Sequence, residues 1–179
     1  MRKNVLVIST SLREKSNSEV LAQYFVNGAT EANHEVTFIS LKDKHISFCR
    51  GCLACQKTQK CVIHDDANEI VEMMKNADVI IFSTPIYYYE MSGQMKTLLD
   101  RANPLYTADY RFKDIYLLTV AAEDDPSTPS RAKEGLQGWI DCFDGVSLKY
   151  CVFAGGVNNP NSIQNHIALV QAYQMGKEI

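Results

Sequence analysis

Four of the six cysteines stand close together, as Cys49-x2-Cys52-x2-Cys55-x5-Cys61. Four thiolates in one loop can ligate a four-iron, four-sulfide cluster, with one thiolate on each iron. The spacing leaves other chemistry open. A structural zinc site usually joins two separate C-x2-C knuckles, whereas three short-spaced cysteines follow in a row here. Cys52-x2-Cys55 could act as a dithiol redox pair, and the thiols could simply pack a loop. Cys142 and Cys151 lie far off in sequence. A secreted disulfide framework would spread its cysteines over a smaller chain.

A second chemistry is written into Ser9-Thr10-Ser11-Leu12-Arg13-Glu14-Lys15-Ser16-Asn17-Ser18, which runs into a helical pattern. Hydroxyls, an amide side chain and a fixed cation surround a helix start. The free N–H groups and the helix dipole there favour an anion, and Arg13 can meet a phosphate through two nitrogens. The plain alternative is a polar capped loop. The stretch has neither G-x-G-x-x-G nor G-x-x-x-x-G-K-[ST], so a phosphomonoester such as that of FMN fits better than a pyrophosphate.

A third segment carries Pro85-Ile86-Tyr87-Tyr88-Tyr89, then Lys96 and Asp100-Arg101. Three tyrosines in a row cannot all face a core. A flat amphipathic ligand such as isoalloxazine would use such rings, and so would a subunit contact. His34, His45, His64 and His166 are scattered and read as surface or capping residues. Without a G-x-S-x-G elbow a serine hydrolase is unsupported. Asp65-Asp66 reads as a helix cap, and Asp124-Asp125 before Pro126 as a turn.

The elements that must position these residues follow from hydrophobic patterning. Val5–Ile8, Val79–Phe82 and Ile115–Val120 are continuous apolar runs suited to strands covered on both faces. Glu35–Ile39 and Leu148–Phe153 are half polar and suit sheet edges. Helical spacing links Val20, Leu21, Tyr24 and Phe25, and likewise Ala67, Ile70, Val71 and Met74. It recurs in Met95, Leu98, Leu99 and Ala102, in Ala132, Leu136, Trp139, Ile140 and Phe143, and in Ile163, Ile167 and Val170. Ser16-x-x-Glu19 and Asp66-x-x-Glu69 resemble capping boxes, and Asn103-Pro104 should stop the third helix.

Alternating strands and helices predict a three-layer α/β fold with a five-stranded parallel sheet of flavodoxin-like order 2-1-3-4-5. Ligands in such sheets sit beyond the carboxyl ends of the strands, which places the serine-rich loop and the tyrosine loop together. The cysteine segment leaves strand two at that same edge, so it is expected on the same side. A length of 179 residues suits one domain, 1–179. With 18 Lys+Arg against 21 Asp+Glu the net charge is −3, which argues against nucleic acid as a partner. No apolar run reaches membrane-spanning length, and nothing reads as a signal peptide. A cytoplasmic protein is expected.

With these loops the sequence resembles the NADPH-dependent FMN reductase branch of the flavodoxin-like superfamily, and within it the iron–sulfur flavoproteins and their cysteine-bearing relatives. The family's phosphate loop, G-S-x-R-x-x-[GS]-N-[ST], is matched by Ser11, Arg13, Asn17 and Ser18, with Thr10 standing at the glycine. Its P-x-Y and K-x-x-x-D-R signatures appear as Pro85-Ile86-Tyr87 and Lys96 with Asp100-Arg101. The resemblance implies that Ser11, Arg13, Asn17 and Ser18 hold an FMN phosphate and that Pro85, Ile86, Tyr87, Tyr88 and Tyr89 line the flavin ring. It places Ala122 and Glu123 on the other side of the ring, and Cys49, Cys52, Cys55 and Cys61 around a 4Fe-4S cluster. Electrons would pass from NAD(P)H through FMN to a quinone, nitro or azo compound or free flavin, with no side chain acting as acid or base. The alternative is an iron–sulfur electron carrier between protein partners. A homodimer or homotetramer is implied, and Asp100-Arg101 is read as a structural or subunit-contact pair.

Overall fold

The computed structural model describes residues 1–179. Its sheet contains β1 (Asn4–Ser9), β2 (Glu35–Ser40), β3 (Val79–Tyr87), β4 (Glu90–Met91), β5 (Asp114–Val120) and β6 (Ser147–Ala154). The order β2-β1-β3-β5-β6 is parallel throughout, and β4 pairs antiparallel with the end of β3. The expected 2-1-3-4-5 topology is therefore present, with β5 and β6 as its fourth and fifth strands. β4 is an addition, because the tyrosine segment is not a simple loop: β3 runs on to Tyr87 and turns back at once.

The helices are α1 (Asn17–Glu31), α2 (Ala54–Thr58), α3 (Ala67–Asn76), α4 (Gly93–Arg101), α5 (Ser130–Ile140) and α6 (Ile167–Glu178), with a 3₁₀ turn at Asn103–Thr107. Alternate side chains of the central strands feed two cores. Leu6, Ile8, Ile80 and Phe82 pack under α3, α4 and α5, while Val5, Val7, Val79 and Ile81 pack under α1 and α6. α1 and α6 touch through Gly28 and Gly176, where any Cβ would collide with the facing backbone.

Three helix readings need correction. In α1, Leu21, Ala22 and Phe25 form the buried face, while Tyr24 faces solvent. Ile163 is buried but precedes α6, whereas Ile167 and Val170 face solvent. Small residues, Ala168, Ala172 and Gly176, form the buried face with Leu169 and Met175, because the close approach to α1 leaves no room for β-branched side chains. At α3, Asp66 does not cap. Asp65 Oδ1 accepts the Ala67 N–H at 3.1 Å, and Asp66 Oδ2 instead accepts the His45 N–H at 2.6 Å. Of the expected Ser16–Glu19 box only the Ser16 cap on Glu19 N forms, and α4 gives way to the 3₁₀ turn just before Asn103. No helix is long and apolar enough to cross a membrane.

Candidate functional site

Strands β1, β3 and β5 are neighbours, so the segments after them lie side by side at the carboxyl edge of the sheet. After β1, Ser11, Ser16, Asn17 and Ser18 are buried while Arg13 is exposed. Ser16 accepts the Glu19 N–H, and Ser11 Oγ accepts the Arg13 N–H at 3.2 Å. The amides of Leu12, Glu14, Lys15, Ser16, Asn17 and Ser18 donate to no group of the chain. Six such donors around one helix start form a cradle of the kind that suits an anion.

Sequence reasoning missed the wall of this cradle. The stretch from Val157 to Ile163 lies against it: Asn17 Nδ2 donates to the Asn159 carbonyl at 2.9 Å, and Asn17 Oδ1 accepts the Ile163 N–H. Arg13 Nη1 donates to the Asn158 carbonyl at 2.7 Å. The Asn17 side chain is thus engaged in holding the wall, which leaves its backbone N–H for a ligand. The same wall joins the β5 loop, since Gly156 N donates to Glu123 O and Val157 N to Ala121 O. At Gly155 any Cβ would strike Asp124, so only glycine permits this approach.

The tyrosines form the tip of the β3–β4 hairpin. Tyr87 pairs with Glu90, and the two residues between them, Tyr88 and Tyr89, have φ of 51° and 65°. A two-residue turn with both φ positive is the one that asparagine and glycine normally occupy. Two aromatic residues there carry backbone strain, a feature that concentrates at functional sites. Tyr88 is 98% exposed and Tyr87 and Tyr89 are half exposed, while Pro85 is buried and Ile86 partly so. Tyr89 Oη donates to Glu123 Oε2 at 3.2 Å, tying the hairpin to the β5 loop. Ala122 and Glu123 are exposed beside it. Thr10, Ser83 and Ser92 link the first two loops beneath the surface.

The cysteines go elsewhere. A cavity of about 460 Å³ is lined by Cys49, Cys52, Cys55 and Cys61. Its other walls include Leu99, Asn103, Trp139 and Phe143, at the C-terminal ends of α4 and α5. α4 starts just after the hairpin, and Gly135 of α5, one turn before Trp139, packs against Glu90 and Met91 of the hairpin. The segment leaving β2 stays beside Leu12 and the start of α4 as far as Phe48, and the cysteines that follow line the cavity between α4 and α5. Cys142, set aside in the sequence, also lines this cavity. The missing signal was tertiary, since Cys142 comes from the end of α5.

No three of these side chains converge on a single metal ion. Cys55 is buried and accepts a hydrogen bond from Asn103 Nδ2 at 3.1 Å, Cys61 is partly buried, and Cys49 and Cys52 are exposed.

Asp100 and Arg101, read together as a structural or subunit-contact pair, turn to different partners. Asp100 meets Lys96 one turn earlier. Arg101 is buried against Asp65, with Nη1–Oδ2 at 2.6 Å and Nη2–Oδ1 at 2.8 Å, and both side chains are almost fully covered. Burial pushes the Asp65 carboxyl up, but the Arg101 guanidinium and the amides of Ser47 and Ala67 outweigh it and hold the carboxyl at about 2. Burial alone would lower the Arg101 value, and Asp65 and Cys61 beside it raise it instead.

Residues 3–158 match the NADPH-dependent FMN reductase family over most of the chain. The chain belongs to that family. Among named relatives of this FMN reductase family chain is an iron–sulfur flavoprotein of Methanocaldococcus jannaschii, 43% identical over 101 residues. The alignment covers 56% of this chain and 52% of that protein. An iron–sulfur flavoprotein of Methanosarcina thermophila is 33% identical over 60% of this chain and 56% of its own. The match thus spans about half the length of these relatives. A Bacillus subtilis protein named as an NAD(P)H-dependent FMN-containing oxidoreductase is 28% identical over 97% of this chain and 96% of its own. Among solved structures, an NAD(P)H:quinone oxidoreductase from Methanothermobacter marburgensis superposes with a TM-score of 0.73 at 18% identity over 99% of both chains. That likeness shows the flavodoxin-like fold.

Proposed function

We propose that this family member is an NAD(P)H-dependent FMN oxidoreductase acting as one domain, 1–179. The observation that carries the reading is the unpaired amide cradle at the start of α1, set beside a strained, exposed tyrosine hairpin. The residues fit FMN. The free amides of Leu12 and of Glu14 to Ser18, with the hydroxyls of Ser11 and Ser18, would take the phosphate, and Arg13 would exchange or share its Asn158 contact for it. Pro85, Ile86, Tyr87, Tyr88 and Tyr89 would line one side of the flavin ring, with Ala122 and Glu123 on the other.

When bound, FMN supplies hydride acceptance from a nicotinamide and electron release to a second substrate. The protein binds and orients. The Tyr89–Glu123 bond holds the two walls of the groove at a fixed separation, and the exposed Tyr88 ring borders the space that donor and acceptor enter in turn. No side chain acid or base is needed. A quinone or azo compound is the acceptor class favoured by the likeness to quinone and azo reductases.

The cysteine cavity favours an added 4Fe-4S cluster on Cys49, Cys52, Cys55 and Cys61, supported by the names of the iron–sulfur relatives. Such a cluster would exchange electrons with the flavin of the same or a neighbouring subunit in a homodimer or homotetramer. If the protein instead serves as a carrier between protein partners, NAD(P)H will bleach its flavin only slowly.

The test is anaerobic purification followed by spectra and turnover. Bound FMN that NADH or NADPH bleaches rapidly, with multiple turnovers on a quinone, is the expected result. A protein that neither carries nor takes up FMN overturns the reading. Iron and sulfide that appear on anaerobic reconstitution and vanish in Cys52→Ser, Cys55→Ser decide the cluster separately.

A further inference from the structure

Apart from Asn68 Nδ2, which donates to the Cys61 carbonyl at 3.2 Å, the side-chain hydrogen bonds that fasten the cysteine loop to the rest of the fold go to one short stretch, Arg101–Thr107. At its base, Arg101 Nη1 donates to the Ser47 carbonyl at 2.8 Å, and Nη2 donates to the Ile63 carbonyl at 3.1 Å. Ser47 and Ile63 are the residues at the two feet of the loop, and the fork also takes both oxygens of Asp65. Asp65 in turn accepts the Ser47 N–H at 2.8 Å, so both feet and the guanidinium form one closed knot. Farther out, Asn103 Nδ2 donates to Cys55 Sγ, Thr107 Oγ1 to the Gln56 carbonyl and Gln59 Nε2 to the Thr107 carbonyl.

One donor in this knot is left over. Arg101 Nε is buried and has no partner, and Cys61 lies beside the same guanidinium. Two of the four candidate ligands, Cys55 and Cys61, therefore border N–H groups that come from outside the loop. Groups of this kind, which hold ligands without touching the metal, orient them and commonly change metal affinity by about ten- to a hundredfold.

We propose that Arg101 and Asn103 are the positioning residues of the thiol cavity. Arg101 ties the feet of the loop together and so fixes Cys61, and Asn103 fixes Cys55 through its sulfur. The metal part of this inference rests on the cluster reading above, whereas the loop-holding part does not.

The experiment uses the full chain loaded with FMN, comparing wild type with Arg101→Lys and Asn103→Ala. Lysine keeps a charge for Asp65 but lacks the fork that reaches Ser47 and Ile63. Hydrogen exchange over residues 48–62 should speed up about tenfold or more in each variant while FMN per chain stays at the wild-type level. After anaerobic reconstitution, iron and sulfide per FMN should fall in both. Exchange over 48–62 at the wild-type rate in both variants overturns the proposal. So does wild-type iron retention at limiting iron in a wild type that does load iron. If the wild type takes up no iron or sulfide, the cluster reading falls and loop exchange still decides the positioning roles. If Arg101→Lys loses protection throughout β1 and α1, the milder Asn103→Ala decides.

Discussion

Thr10 and Ser92 share a hydrogen bond of 3.0 Å between the loops that follow β1 and β3. Thr10 Oγ1 gives its own proton to the Ser83 carbonyl at 3.2 Å, so Ser92 is the donor in that bond, and Ser92 Oγ also accepts the Met95 N–H. The threonine that replaces the family glycine thus points inward, fully buried, and leaves the amide cradle clear. Thr10→Val keeps the shape but removes the acceptor for Ser92. It should lower stability by about 1–2 kcal/mol in chemical denaturation, as expected when a buried hydroxyl loses its partner.

Arg13 reaches across the cradle to Asn158 with one nitrogen. Arg13→Ala should weaken FMN binding by about 1.5–3 kcal/mol, the worth of a charge-assisted contact. Titration of the flavin-free protein with FMN measures this directly. An unchanged dissociation constant would remove Arg13 from the phosphate site.

The hairpin prediction sets strain against function. Replacing Tyr88 by Asn and Tyr89 by Gly suits a turn with both φ positive and should raise the melting temperature, by about 1 kcal/mol or more in stability. The same change removes the Tyr89–Glu123 bond and two rings. FMN affinity or turnover should therefore fall as stability rises, and a melt paired with an FMN titration reads both.

Asp65 makes stability pH-dependent at the acid end. Its carboxyl is held at about 2 in the fold against an ordinary 3.8, a difference of about 2 kcal/mol. Because the folded value is the lower one, this stabilisation is complete above about pH 4 and is lost as the pH falls toward 2. Asp65→Asn should abolish that part of the acid dependence, measured by urea denaturation between pH 2 and 5. It should also cost about 3–5 kcal/mol at neutral pH, since the Arg101 charge stays buried without its partner.

Much of this protein was determined locally by its sequence. Continuous apolar runs marked β1, β3 and β5 as central because a strand covered on both faces has no polar side to show. Half-polar β2 and β6 fell at the edges for the same reason. The Ser16 cap, the stop before Asn103 and the serine-rich loop at the switch point were legible because each depends on neighbours a few residues away. The tertiary structure decided what depends on distant partners. It chose small residues over Ile167 and Val170 for the buried face of α6, because α1 lies too close for branched side chains. It turned Thr10 inward and brought Asn158 and Gly155 beside the loops after β1 and β5. It set the cysteines in the cavity between α4 and α5, where Cys142 joins them, because the buried Arg101 charge needs Asp65 and the carbonyls at the loop's feet, and no pattern of residue spacing records such a pairing.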